Sequence, residues 1–183
     1  MLAFPVRDRG RIGVYQVRAH IVSYLDVPHV DIEQLARGDK EDEILYLGAD
    51  SPGGVKYLHK LSLNTAETER AFDWLIDGLE EFTYRRETGA LCYREFGRED
   101  VTCAKGEDGK EIIHVKDRTR GTLSLDGRFL VTEGPGAPVS MSDLPAEELP
   151  EFIPETIRPP SLWIHDVDSG KEELWEGVHG EQF

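Results

Sequence analysis

Residues 64–82, NTAETERAFDWLIDGLEEF, decide how the sequence is read. Asn64 stands where a helix N-cap would, and Glu67 follows three residues on, the spacing of a capping box. Phe72, Leu75, Ile76, Leu79 and Phe82 then recur at intervals that place them on one stripe of a helix. Glu69, Arg70, Asp73, Asp77 and Glu80 fill the other face, and Gly89 follows as a stop. The pattern predicts a helix over 65–82 that buries five apolar side chains, each contributing about 1.5–3 kcal/mol before chain entropy is subtracted.

On either side the sequence is strand-like. Residues 11–25, RIGVYQVRAHIVSYL, alternate at Tyr15, Val17, Ala19 and Ile21, although a helical count through Val14, Val17, Ile21 and Leu25 also fits. Asp31, Gln34 and Gly38 have the spacing of a short helix's cap, box partner and stop. A short strand at 44–47 leads into the loop GADSPGG at 48–54, and 55–63 alternates again, with His59 among Val55, Tyr57, Leu61 and Leu63.

Beyond Gly89 the chain reads as a meander. Strands at 90–96 and 101–104 precede a turn at Glu107-Asp108-Gly109-Lys110. Asp126-Gly127, between two apolar-rich runs, suits a type I′ hairpin in which Leu123 faces Leu130 and Thr122 faces Val131. Residues 134–160 hold seven of the ten prolines and read as an extended segment wrapping the domain, with one helical turn at 146–149. A last hairpin runs over 162–175, and no internal repeat is visible. The expected fold is α+β: one domain over 1–183, in which an antiparallel, meander-rich sheet packs on one main helix, with one or two short helices and a C-terminal hairpin.

The chain carries a net charge of −15. Residues 1–24 are basic at +3, through Arg7, Arg9, Arg11 and Arg18 against Asp8, whereas residues 133–183 carry −10. A surface of this kind repels nucleic acid and anionic membranes and attracts a basic protein. No apolar run approaches the roughly twenty residues needed to span a bilayer, and residues 1–10 lack the apolar stretch of a signal peptide. A cytoplasmic protein is expected, with Cys92 and Cys103 reduced, although neighbouring strands would allow them to pair.

Motifs of chemistry are weak. His165 and Asp166 would point to opposite faces of a strand, and a calcium loop begun at Asp166 fails because its twelfth position is Gly177 rather than a glutamate. No metal and no cofactor is expected. GADSPGG has the composition of a phosphate loop but lacks the Gly-Lys-Ser/Thr ending. The piece WIHDVDSGKEELW, residues 163–175, is similar to the outer hairpin of a propeller blade. That resemblance implies no function, and at about forty residues per blade the chain has room for no more than four.

The leading expectation is an acidic protein-binding module, of inhibitor or immunity type, that docks on a basic partner through Asp166, Asp168, Glu172, Glu173 and Glu176 on the last hairpin. A second reading is a small hydrolase or ligand-binding enzyme assembled from His59, His114, His165 and Cys92. A third is a subunit of a larger assembly with an exposed apolar patch over 152–162.

Overall fold

The computed structural model describes residues 2–6, 10–136, 139–140, 156–157 and 160–175, and among these there are strands and turns but no helix. The expected α+β class is therefore corrected to all-β. The first sheet holds β1 (Leu2–Val6), β2 (Arg11–Gln16) and β3 (Ile21–Asp26). The second holds β4 (Val30–Arg37), β5 (Glu43–Ala49), β6 (Lys56–Ser62) and β7 (Thr68–Arg70). The third holds β8 (Leu79–Arg85), β9 (Ala90–Glu95), β10 (Val101–Lys105) and β11 (Glu111–Val115). After β12 (Thr119–Leu123) and β13 (Phe129–Pro135), a short pair, β14 (Val139–Ser140) with β15 (Thr156–Ile157), precedes β16 (Pro160–Asp166) and β17 (Glu172–Trp175). The fourth sheet is β12-β13-β16-β17.

All strand pairs are antiparallel, and the sheets stack in series. β1 lies against β4, β4 against β8, and β8 against β12, so the first strands of successive sheets adjoin. Each junction buries an apolar cluster. Ile12 and Val14 meet Ile44, Tyr46 and Leu61 between the first two sheets. Leu45, Leu47 and Leu58 meet Leu79, Phe82 and Leu91 between the second and third. Cys92, Val101 and Cys103 meet Leu123 and Leu130 between the third and fourth. β5 is buried at every residue because it is covered on both faces, Ile44 and Tyr46 packing toward one neighbour, Leu45 and Leu47 toward the other.

The expected helix over 65–82 is a strand, a loop and another strand. Its apolar stripe is nevertheless real, since Leu75, Leu79 and Phe82 are buried in one cluster with Phe72 packed against them. Phe72 and Leu75 reach that cluster from the loop between β7 and β8. Leu79 and Phe82, on β8, share it despite their odd spacing because the register shifts between Leu79 and Glu81. A bulge of this kind adds one residue to a strand and turns a three-residue interval into a same-face pair. Ile76, which a helix would bury, is 76% exposed. Gly78 also argues against a helix: a Cβ there would stand 1.9 Å from Val55 Cγ1, so the loop uses the glycine for close approach.

Bulges also explain the short helix expected over 31–38. That stretch is β4, where Asp31 and Gln34 adopt φ of 50° and 44° and the register with β5 shifts on both sides of Glu33. The Gln34 bulge directs its side-chain oxygen to accept the Phe82 N–H at 2.8 Å, which ties the second sheet to the third. Residues 11–25 form two strands, joined by a turn in which His20 has φ 54°. The Leu123–Leu130 and Thr122–Val131 register stands as read from the sequence. The helical turn expected at 146–149 lies outside the described residues, as does most of the segment 134–160.

Candidate functional site

The structure gathers one cluster of titratable side chains that the sequence leaves dispersed: His29, Tyr46, Asp50 and His59. His29 precedes β4, directly after the chain crosses from the first sheet, Tyr46 lies on β5, Asp50 follows β5, and His59 lies on β6. The antiparallel register places Tyr46 opposite His59 and Val30 opposite Ala49, so His29 and Asp50 come together at the same end of the β4–β5 pair. Gly48 makes room for the cluster. A Cβ at that position would stand 2.9 Å from His29 Cβ and 3.1 Å from the Tyr46 ring.

The two imidazoles stack, with centroids 3.5 Å apart and planes at 27°. His29 Nδ1 is 2.7 Å from the Tyr46 hydroxyl, and its Nε2 is 3.8 Å from Asp50 Oδ1. His59 is only 3% exposed and its Nε2 has no hydrogen-bond partner. Burial is the main cause that pulls the His59 pKa down to about 4, and the nearby His29 and Arg70 push the same way. Burial also lowers His29, against the pull of the Asp50 carboxylate. Both rings are thus neutral at neutral pH. Burial raises the Tyr46 hydroxyl well above the usual tyrosine range, so it too stays protonated.

One ligand-atom choice on each of His29, Asp50 and His59 brings all three atoms within 4.8 Å of one another. Sequence reasoning singled out His59 as the histidine interrupting an apolar strand face but missed His29 and Asp50. The spacing of 21 residues from His29 to Asp50 and nine from Asp50 to His59 resembles no motif, because strand pairing and not sequence proximity joins them.

His114, His165 and Cys92 do not join this cluster. His114 lies on β11 with Thr102 Oγ1 at 2.9 Å and Asp100 at 3.6 Å. His165 is buried in the fourth sheet against Thr132 and Glu172. Cys92 and Cys103 stand directly opposite on β9 and β10 and are joined by a disulfide, with S–S 2.08 Å, in place of the expected reduced thiols.

The acidic hairpin is largely engaged in its own fold. Asp166 Oδ1 accepts the N–H groups of Asp168 and Ser169 in the turn, and Oδ2 faces Arg128 at 3.4 Å. Glu172 faces Arg118 and His165. Asp168 and Glu173 are exposed, and Glu176 lies outside the described residues.

A different surface is left uncovered. On the outer face of the first sheet the register aligns Leu2 with Tyr15 and Val22, and Phe4 with Gly13 and Tyr24. The Phe4 ring lies on Gly13, where a Cβ would come within 2.3 Å of it. Leu2, Phe4, Val22 and Tyr24 are 61, 38, 44 and 58% exposed. The patch expected over 152–162 falls mostly outside the described residues.

Antiparallel meander sheets stacked in series with their first strands adjoining define a propeller-like array. Comparison with solved structures agrees. The chain is similar to TolB from Acinetobacter baumannii, with a TM-score of 0.60, 13% identity, and coverage of 94% of this chain and 39% of that one. It is similar to oligogalacturonate lyase from Vibrio parahaemolyticus, with a TM-score of 0.57, 9% identity, and coverage of 90% and 42%. It also resembles a chain of the nidogen/laminin complex, with a TM-score of 0.56, 10% identity, and coverage of 91% and 58%. TolB and the lyase are β-propeller proteins, and the chain spans less than half the length of either. At these identities the likeness is one of fold. No family model matches the chain, and no curated protein matches it. Among the described residues no helix is long and apolar enough to cross a membrane.

Proposed function

We propose that this chain is a protein-binding module of propeller type, whose contact surface is the outer face of the first sheet and whose partner is a basic protein. One observation carries the reading. Both faces of the second and third sheets are buried against neighbouring sheets, whereas the same kind of apolar surface on the first sheet, Leu2, Phe4, Val22 and Tyr24, meets solvent. Exposed apolar patches on folded proteins mark interaction sites. The net charge of −15 attracts a basic protein at long range, while the contact itself is apolar and aromatic, since residues 1–24 that carry it are basic at +3. The sequence reads as cytoplasmic, and counting the thiols at Cys92 and Cys103 tests that reading, since a disulfide there persists in an oxidising compartment.

The test is capture from host lysate on the immobilised chain and on a Val22→Lys/Tyr24→Lys variant, each at low and high salt. A basic protein held by the first and lost by the second supports the reading. Identical capture by both removes it. Self-association abolished in the variant assigns the face to a second copy and overturns the basic partner.

A further inference from the structure

We propose that His29, Asp50 and His59 form a binding site for a divalent transition metal of the zinc class. Two imidazoles and one carboxylate are a donor set suited to such ions, and three protein ligands leave a fourth position for water or for a donor from a bound molecule.

Three features of the cluster point to a ligand. The first is His59 Nε2, an unpartnered nitrogen on a side chain that is 97% buried by its 3% exposure. Buried polar atoms in folded proteins are nearly always hydrogen-bonded, and one left bare beside two other donors is in want of a partner. The second is the orientation of His29: its Nδ1 stands 2.7 Å from the Tyr46 hydroxyl and its Nε2 faces Asp50. Histidine ligands in metal sites are oriented in this way, one ring nitrogen bonded to a protein oxygen and the other left for the ion. The third is the span. The three donor atoms lie within 4.8 Å of one another, whereas ligands at about 2.0–2.2 Å from a tetrahedral ion stand about 3.3 Å apart. Asp50 closes that gap by a change of rotamer, since its side chain is 72% exposed on the loop after β5.

The two rings stack at 3.5 Å and 27° and share no hydrogen bond with each other, and an ion held by both would tilt them apart so that their nitrogens converge. Arg70, paired with His59 across β6 and β7, is the opposing charge. Its guanidinium lies over the Tyr57 ring at 3.6 Å. Bound there, the ion would pin the segment leaving the first sheet to the body of the second.

The experiment is calorimetric titration of the untagged chain, stripped with chelator, against Zn²⁺ and separately against Mg²⁺. Visible spectroscopy of the Co²⁺-loaded chain reports coordination number independently. The expected result is one Zn²⁺ per chain, no heat with Mg²⁺, and a four- or five-coordinate Co²⁺ spectrum. Asp50→Asn, an exposed change that leaves the fold intact, weakens Zn²⁺ binding about tenfold or more, and His59→Phe abolishes it. No binding below about millimolar Zn²⁺, or binding unchanged in both variants, overturns the assignment.

Discussion

His165 Nδ1 stands 3.4 Å from Glu172 Oε2, the same oxygen that Arg118 Nη2 approaches at 3.4 Å. One carboxylate thus answers two buried bases. Arg118 is 8% exposed, its guanidinium stacks over Trp163 at 4.2 Å, and its Nη1 donates to the Asp117 carbonyl. Glu172→Gln leaves that cation without an anion. Because the Glu172 side chain is half exposed and solvent screens the pair, the expected loss is about 1–2 kcal/mol rather than the 3–5 of a fully buried pair. Glu173→Gln, on the exposed neighbour, should change stability by less than about 0.5 kcal/mol. Urea unfolding of the two variants against the parent checks the contrast.

The same site sets a pH dependence. Burial lowers the His165 pKa, with Arg118 acting the same way and Glu172 opposing them. The unfolded chain therefore binds this proton more readily than the folded one. Stability from neutral His165 is present above the ordinary histidine pKa, about 6.5, and is lost as pH falls below it. His165→Gln, which keeps a polar group beside Thr132, should flatten the slope of unfolding free energy as pH falls below about 6.5. An unchanged slope would assign that dependence to other groups.

How much of this was legible in the sequence depended on where the information lay. The hairpin across Asp126-Gly127 was readable to the residue pair because turn chemistry and alternation are both local. The all-β class was not. Phe72, Leu75, Leu79 and Phe82 carry a helical period for a non-helical reason, a loop that dips into the core followed by a strand with a bulge. Asp31 and Gln34 mimicked a capping box for the same cause. Successive sheets share no motif that a repeat search would find, since what repeats is strand order and not residue identity. The hairpin at 163–175 resembled a propeller blade, and in the structure it is the outer edge of such a sheet. The metal-type cluster was half visible, in His59 alone, because His29 and Asp50 reach it only through the pairing of β4 with β5 and β5 with β6.

Gly121 sits where the third and fourth sheets pack closely. A Cβ there would lie 2.4 Å from Val101 Cγ1 and 3.5 Å from Cys92 Cβ, all within a buried cluster. Gly121→Ala should destabilise by about 1–3 kcal/mol through overpacking. Shortening Val101 removes the atom it strikes. Val101→Ala alone also destabilises, by leaving a cavity, so the Gly121→Ala/Val101→Ala double variant should be more stable than the sum of the two changes predicts. Strict additivity in denaturant unfolding would show that the sheets separate to accept the methyl group.

Cys92 and Cys103 face each other across β9 and β10 with both side chains buried, at 2% and 0% exposure. The bond spans a sequence separation of 11, short enough that the loop-entropy contribution is at the lower end of what disulfides supply, about 2–3 kcal/mol. Cys92→Ala/Cys103→Ala should lose at least that much, because it also takes two sulfurs out of the cluster between the third and fourth sheets, and should keep its fold through the cluster on the other face of the third sheet, which holds neither cysteine. Alkylation in denaturant gives the direct count: no thiol before reduction and two after it. Applied to protein taken straight from its host, the same count reports the compartment. Two reactive thiols without added reductant would mean that the chain works in a reducing environment and that the strand pair holds the cysteines together without bonding them.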